Sequence, residues 1–463
     1  MTPSSQLDQV LGVVDADLDQ SLERLFAFLR MPSISTDSAY KEDCRRAAEW
    51  LAEDVASIGF EASARPTAGH PVVVGRMNGG AKRHALFYGH YDVQPVDPLN
   101  LWNHDPFDPK LIQIEKDRKV ISARGACDDK GQVMTFVEAC RAWKKATGSL
   151  PIGVTLMVEG EEESGSINLP PFVKANKKEL EADLALVCDT GMWDRKTPAI
   201  TTSLRGMVYE EIILRAANRD LHSGVYGGAA QNPIHILSRI CGSLHDKNGR
   251  VRVPDFYKGV SNLPKAVKAD LAKLKLTEKQ FLGPIGLKKS AGEKGRLLIE
   301  QVSTRPTCDV NGIWGGYTGE GTKTVIAGEA RAKVSFRLVG DQDPAAIQKN
   351  FRAFVKSQVP ADCSVEFIGY KGSRAIQLPF DSPDLLKTRD ALTKEWGKKT
   401  VMIGSGGSIP VVGDFKRTLG LDSLLVGFAL DDDRVHSPNE KYDLSSFHKG
   451  VRSWVRILAA LAE

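Results

Sequence analysis

The chain has 463 residues, 42% hydrophobic and 26% charged, and its 62 basic and 58 acidic side chains leave a net charge of +4. That length and balance fit a globular protein of two domains, and well-mixed charge without a basic run excludes a dedicated nucleic-acid binder. Seven irregularly spaced cysteines fit reduced thiols, the start lacks a signal-peptide core and no stretch is long and apolar enough to span a bilayer, so a cytoplasmic protein without a membrane partner is expected.

Apolar positions recur at helical spacing over residues 6 to 30 (Leu7, Val10, Leu11, Val14, Leu18, Leu22, Leu25, Phe26, Leu29) and stop at Met31-Pro32. A second helix is expected over Lys41 to Ile58, ending at Gly59. Strands and helices then alternate. PVVVGRM, HALFYGHYDV and a hairpin-like LIQIEKDRKVISARG precede a helix from Gln132 to Ala146; IGVTLMVEG, a helix near Pro170 to Leu180, and LALVCD follow. This rhythm predicts an α/β domain whose mainly parallel sheet is covered by helices.

The pattern changes at Arg205-Gly206. MVYEEIILRAANR reads as a half-buried strand, and QNPIHILSRICGSLHD as a helix opened by Asn232 and Pro233. A Lys-rich helical stretch follows, then strands ARAKVSFRLV and CSVEFIGY flanking the helix DPAAIQKNFRAFVKSQV. From about Ser382 the α/β rhythm returns with PDLLKTRDALTKEW, VMIG, LLVGFAL and a closing helix. The expected organisation is a catalytic α/β domain in two parts, residues 1–205 and 381–463, interrupted by an inserted α+β lid and dimerisation domain at 206–380.

Seven polar residues lie at or near the ends of these apolar runs: His90, Asp92, Asp128, Glu162, Glu163, Asp189 and His436. Ligands of open α/β sheets gather beyond the carboxyl ends of the strands. Imidazoles mixed with carboxylates, and no cysteine among the ligand candidates, suit zinc or manganese. Strand alternation puts His90 and Asp92 on one face, where Asp92 can fix the imidazole tautomer. The run EGEEESGS would ordinarily be a solvated face, but clustered carboxylates repel unless a cation neutralises them. One of the pair Glu162 and Glu163 can then bind metal while the other remains a base. Alone, DDKG at Asp128 is a turn signal, and Asp189 and His436 are ambiguous; it is their combination that points to a metal centre. HExxH, P-loop and GxSxG signatures are absent.

GHYDVQP with Trp102 and DPFD, then RGACDDKG, EGEEESGS, LHSGVYGG, KVSFRL, GSGGSIPV and HSPNEKYDL occur in an order that resembles the aminoacylase–carnosinase–carboxypeptidase G family of co-catalytic metallopeptidases, nearest the cytosolic nonspecific dipeptidase branch. The resemblance covers nearly the whole chain. It implies two divalent metals bridged by Asp128, one also bound by His90 and Asp189 and the other by Glu163 and His436. Glu162 matches the general base, and His222 a residue that holds the substrate carbonyl across a homodimer interface. Arg337, Thr324 and the Gly407-Ser408 loop match contacts to a substrate carboxylate. Ala327 stands where the family often has proline. The implied activity is hydrolysis of dipeptides or short peptides with a free C-terminus. An N-acyl-amino-acid deacylase or desuccinylase with the same metals is the enzymatic alternative, and a catalytically silent scaffold the non-enzymatic one.

Overall fold

Strand His84–His90 pairs in parallel with Gly153–Glu159 on one side and Leu184–Val187 on the other, and Ser423–Leu425 extends the parallel set beyond Leu184–Val187. Val72–Met77 and Glu61–Arg65 add antiparallel strands outside Gly153–Glu159. The central strands are buried along their length, which explains why they read as continuous apolar runs rather than alternating ones. The computed structural model describes residues 2–406 and 409–463. It has two compact units, one of Met1–Thr202, Leu378–Met402 and Val411–Glu463, the other of Ser203–Gln377 and Ile403–Pro410.

In the first unit, helices Pro3–Ala16, Lys41–Ile58, Lys130–Thr147, Pro383–Trp396 and Leu444–Ala462 bring apolar faces into the core. Phe87 on the sheet stacks on Phe136, with ring centroids 3.8 Å apart, and Trp454 meets Phe136 edge-on at 5.2 Å. The Trp454 indole donates to Thr135 Oγ1 at 3.1 Å, so its polar edge is satisfied inside the core. Helix Lys41–Ile58 buries Cys44, Ala47, Ala48, Leu51, Ala52, Val55 and Ile58 and stops at Gly59, whose φ of +111° suits glycine. The apolar periodicity over residues 6 to 30 is divided between two helices, Pro3–Ala16 and Leu18–Leu29. Asp17 breaks them, with its carboxylate accepting from Lys145 Nζ at 2.6 and 2.9 Å. The hairpin Lys110–Glu115 and Arg118–Ser122 forms a separate small sheet with Lys441–Asp443.

The second unit is built on an antiparallel sheet in the order Thr307–Gly315, Glu329–Leu338, Gly206–Arg215, Ser364–Gly369. Along Glu329–Leu338, Ala330, Ala332, Val334, Phe336 and Leu338 are buried and the intervening residues half-buried. The buried face packs on helices Pro233–Gly242 and Pro344–Lys356, with Phe336 edge-on to Phe351 at 4.9 Å. Asn232 and Asp343 cap these helices by accepting the N–H groups of Ile234 and Ala345.

Candidate metal centre

His90 is the last residue of its strand and is fully buried. Its Nε2 lies 3.1 Å from Asp128 Oδ1, and the other oxygen of Asp128 lies 2.9 Å from His436 Nε2. One carboxylate thus faces two imidazoles with its two oxygens. His436 Nε2 is also 3.2 Å from Glu163 Oε2, and Asp189 offers an oxygen to the group around His90 and Asp128. Two triads result, His90–Asp128–Asp189 and Asp128–Glu163–His436, each with ligand atoms within 4.8 Å of one another and sharing Asp128.

Local structure explains how these groups meet. Asp128 lies in a loop just before helix Lys130–Thr147, and the Asp128–Asp129 peptide is cis. A Cβ on Gly131 would fall 1.9 Å from the Ala126 carbonyl oxygen, so only glycine allows the helix to start against its own loop. Lys130, which the DDKG turn reading left without a task, is buried and donates to the carbonyls of Phe28 and Met31 at 3.1 and 2.6 Å. It ties the end of helix Leu18–Leu29 to the Asp128 loop.

Asp92 is buried behind the centre. His90 Nδ1 donates toward the Asp92 carbonyl at 3.1 Å and lies 3.3 Å from Asp92 Oδ1. The same carboxylate accepts the backbone N–H groups of Glu162 and Glu163 at 3.2 and 3.0 Å and the Ser35 hydroxyl at 2.6 Å. Asp92 thereby orients an imidazole and fixes the turn that carries both glutamates. Asp129, Gln94 and Glu440 complete the surroundings: Asp129 accepts from the His90 N–H at 3.2 Å, Gln94 donates to Glu163 Oε2 at 2.7 Å, and Glu440 accepts from the Asp128 N–H at 3.1 Å. Sequence reasoning missed Gln94 and Glu440, and only the motif strings GHYDVQP and HSPNEKYDL contain them.

The electrostatics fit a cation pair. Burial, then the Asp128 charge, pushes Asp189 up to about 7. Hydrogen bonds to Asp128 and Glu163 push His436 up to about 10. Among the described residues Glu163 Oε1 is buried with no hydrogen-bond partner, an acceptor atom that a metal ion would satisfy. Burial also raises Glu162, and Glu163, Asp128 and Asp92 add to this, with His90 opposing.

His222, Thr324 and Arg337 lie in the second unit. His222 ends the short strand Leu221–His222, which pairs with Val325–Ile326; its Nδ1 accepts the Gly224 N–H at 3.0 Å, and the Ser223 N–H donates to the Thr324 carbonyl at 3.1 Å. His222 and Thr324 are therefore neighbours across one two-strand pairing. Arg337 is on the central strand Glu329–Leu338, flanked by Met207 and Thr307. Gly407 and Ser408 lie outside the described residues.

An imidazole–carboxylate cluster beyond the carboxyl ends of a parallel sheet defines a candidate divalent-metal site. The model of Peptidase family M20/M25/M40 matches residues 86–460, and the chain belongs to this family. It is 28% identical to the Cys-Gly metallodipeptidase DUG1 of Saccharomyces cerevisiae, with 99% of each chain covered. The human Beta-Ala-His dipeptidase is 25% identical over 100% of this chain and 94% of its own length. Among solved structures, the M20 family metallo-carboxypeptidase Sso-CP2 from Sulfolobus solfataricus superposes with a TM-score of 0.77 at 32% identity, over 96% of this chain and 99% of that one.

Proposed function

We propose that the protein hydrolyses the peptide bond of dipeptides or short peptides with a free C-terminal carboxylate, using two zinc or manganese ions. The observation that carries this reading is the Asp128 carboxylate facing His90 with one oxygen and His436 with the other. Relatives along the full chain are named dipeptidases. Asp128 would be shared by both ions, His90 and Asp189 holding one, Glu163 and His436 the other. When bound, such a pair supplies an activated water and polarises the scissile carbonyl.

Glu162, raised by burial and its acidic neighbours, accepts the water's proton and later delivers it to the leaving amine. Asp92 holds the His90 Nδ1–H, which keeps Nε2 free as a ligand. His222 stabilises the oxyanion from a partner subunit. Arg337, with Thr324, receives the substrate carboxylate through its planar fork of donors. A homodimer through the second unit is supported by strand Thr307–Gly315. It is an edge strand with Val310, Ile313 and Trp314 exposed at 41%, 48% and 42%, a surface that proteins ordinarily cover.

The test is a panel of dipeptides, their C-terminal amides and N-acyl amino acids, each assayed with zinc and with manganese. Cleavage of the free-acid dipeptides, with the amides slower by a factor of a hundred or more, is expected because an amide leaves a guanidinium unpaired. Preferential cleavage of N-acyl amino acids would replace the dipeptidase reading with a deacylase.

A further inference from the structure

In the second unit, half-buried guanidinium groups meet carboxylates almost throughout. Arg215 faces Glu329 and Glu366, Arg331 faces Glu329 and Glu211, Arg352 faces Glu210, and the buried Arg305 faces Glu293. Arg205 and Arg337 are the departures. Both are half-buried, and among the described residues neither has a carboxylate within ion-pair distance. Among the described residues Arg205 makes one hydrogen bond, from Nε to the Gly406 carbonyl at 3.1 Å.

The sheet register places the two close together. Arg337 pairs with Met207 on one side and Thr307 on the other, and Arg205 lies two residues before Met207 on the side from which the strand enters. Burial and then the Arg337 charge push Arg205 down to about 10, opposed by Asp309. Asp309 pairs with Ser335, which shares a strand face with Arg337, but Asp309 is itself exposed. A Cβ on Gly406 would fall 2.9 Å from Arg205 Nη2, so the guanidinium rests directly on the Gly406 backbone.

Two like charges held partly out of water, with an exposed counter-charge acting on one of them, are costly in the free protein. One added carboxylate would neutralise the group, and among the described residues Arg205 spends only one of its five donors. Resting on the reading of Arg337 as the contact for the substrate's C-terminus, we propose that Arg205 is a second, specificity-determining guanidinium for the same carboxylate. The terminus would then be read by a pair of arginines, with Arg205 anchored through Gly406. This two-point capture selects substrates that end in a carboxylate at that position over peptides that continue beyond it.

The test measures KM and kcat of the metal-loaded protein on a free-acid dipeptide and its C-terminal amide, for the wild type, Arg205→Met, Arg205→Lys and Arg337→Met. A charge-assisted hydrogen bond of this kind corresponds to roughly a 10- to 100-fold effect. The acid-to-amide preference should fall by about that factor in Arg205→Met, through KM rather than kcat, with metal content unchanged. Arg205→Lys, which keeps the charge and loses the fork, should raise KM for the acid severalfold, and it decides the matter if Arg205→Met does not fold. An Arg205→Lys or Arg205→Met protein with the wild-type acid preference, alongside an Arg337→Met protein that has lost it, overturns the role of Arg205 alone. A wild type without acid preference overturns the carboxylate reading of Arg337 and this inference with it.

Discussion

Glu440 closes a cage of backbone donors around the loop that carries Asp128: its Oε1 accepts the N–H groups of Cys127 and Asp128 at 2.9 and 3.1 Å. Its Oε2 accepts the Gly125 N–H at 3.1 Å and Arg124 Nη1 at 2.7 Å. Glu440 is fully buried, so all four interactions are sheltered from water. A glutamine has one acceptor oxygen and cannot serve both sides. Glu440→Gln is therefore expected to weaken zinc binding by about 10- to 100-fold, as loss of an outer orienting partner does, and to lower the melting temperature. Calorimetric zinc titration checks this; wild-type affinity in the folded variant would show that Asp128 does not depend on the cage.

Glu162→Gln is expected to keep two metal ions per chain and lose turnover by at least roughly 10²- to 10⁴-fold. The amide fills the same space beside Glu163 but cannot take a proton. Metal analysis paired with a rate measurement tests this. Near-normal activity in the fully metallated variant would remove Glu162 from the role of base.

Mixing Glu162→Gln chains with His222→Ala chains should restore activity that neither has alone. A hybrid dimer would contain one site with an intact Glu162 and a partner's intact His222. Absence of recovery after demonstrated subunit exchange would place His222 within its own site or outside the reaction.

A fourth expectation concerns acid stability. Burial, then the Arg76 charge, pushes His84 down to about 4 from its ordinary 6.5, while its Nε2 pairs with Thr155 Oγ1 at 2.8 Å. Between those two values the unfolded chain binds a proton that the folded chain refuses. The His84 contribution to stability therefore falls as pH drops from about 6.5 toward 4 and levels off below. Denaturation midpoints across this range should fall more steeply for wild type than for His84→Gln, both in excess chelator. Parallel curves would show that His84 does not couple folding to pH.

The legible parts of this chain are those where one local period decides the outcome. The spacing from Cys44 to Ile58 and the stop at Gly59 dictate a helix without tertiary help. The apolar run ending at His90 could only be a buried strand, and its end is where a polar residue can face a site. Asp17 was not legible as a break, because the apolar spacing runs on across it and its partner Lys145 is distant in sequence. Strand Thr307–Gly315 was also missed, because an exposed edge shows no alternation of burial.

The chemistry divides in the same way. The residue types of the centre, two histidines among carboxylates near strand ends, are written in the sequence and already restrict it to a hard or borderline divalent cation. Which oxygen faces which nitrogen is not. Asp128 meets both His90 and His436 only because parallel pairing of the sheet sets the His90 strand end, and the Glu440 cage, anchored through Arg124, holds the Asp128 loop against it. Periodicity acts over a few residues and can be read along the chain. Coordination geometry depends on groups distant in sequence, and only packing of the whole first unit fixes their separations.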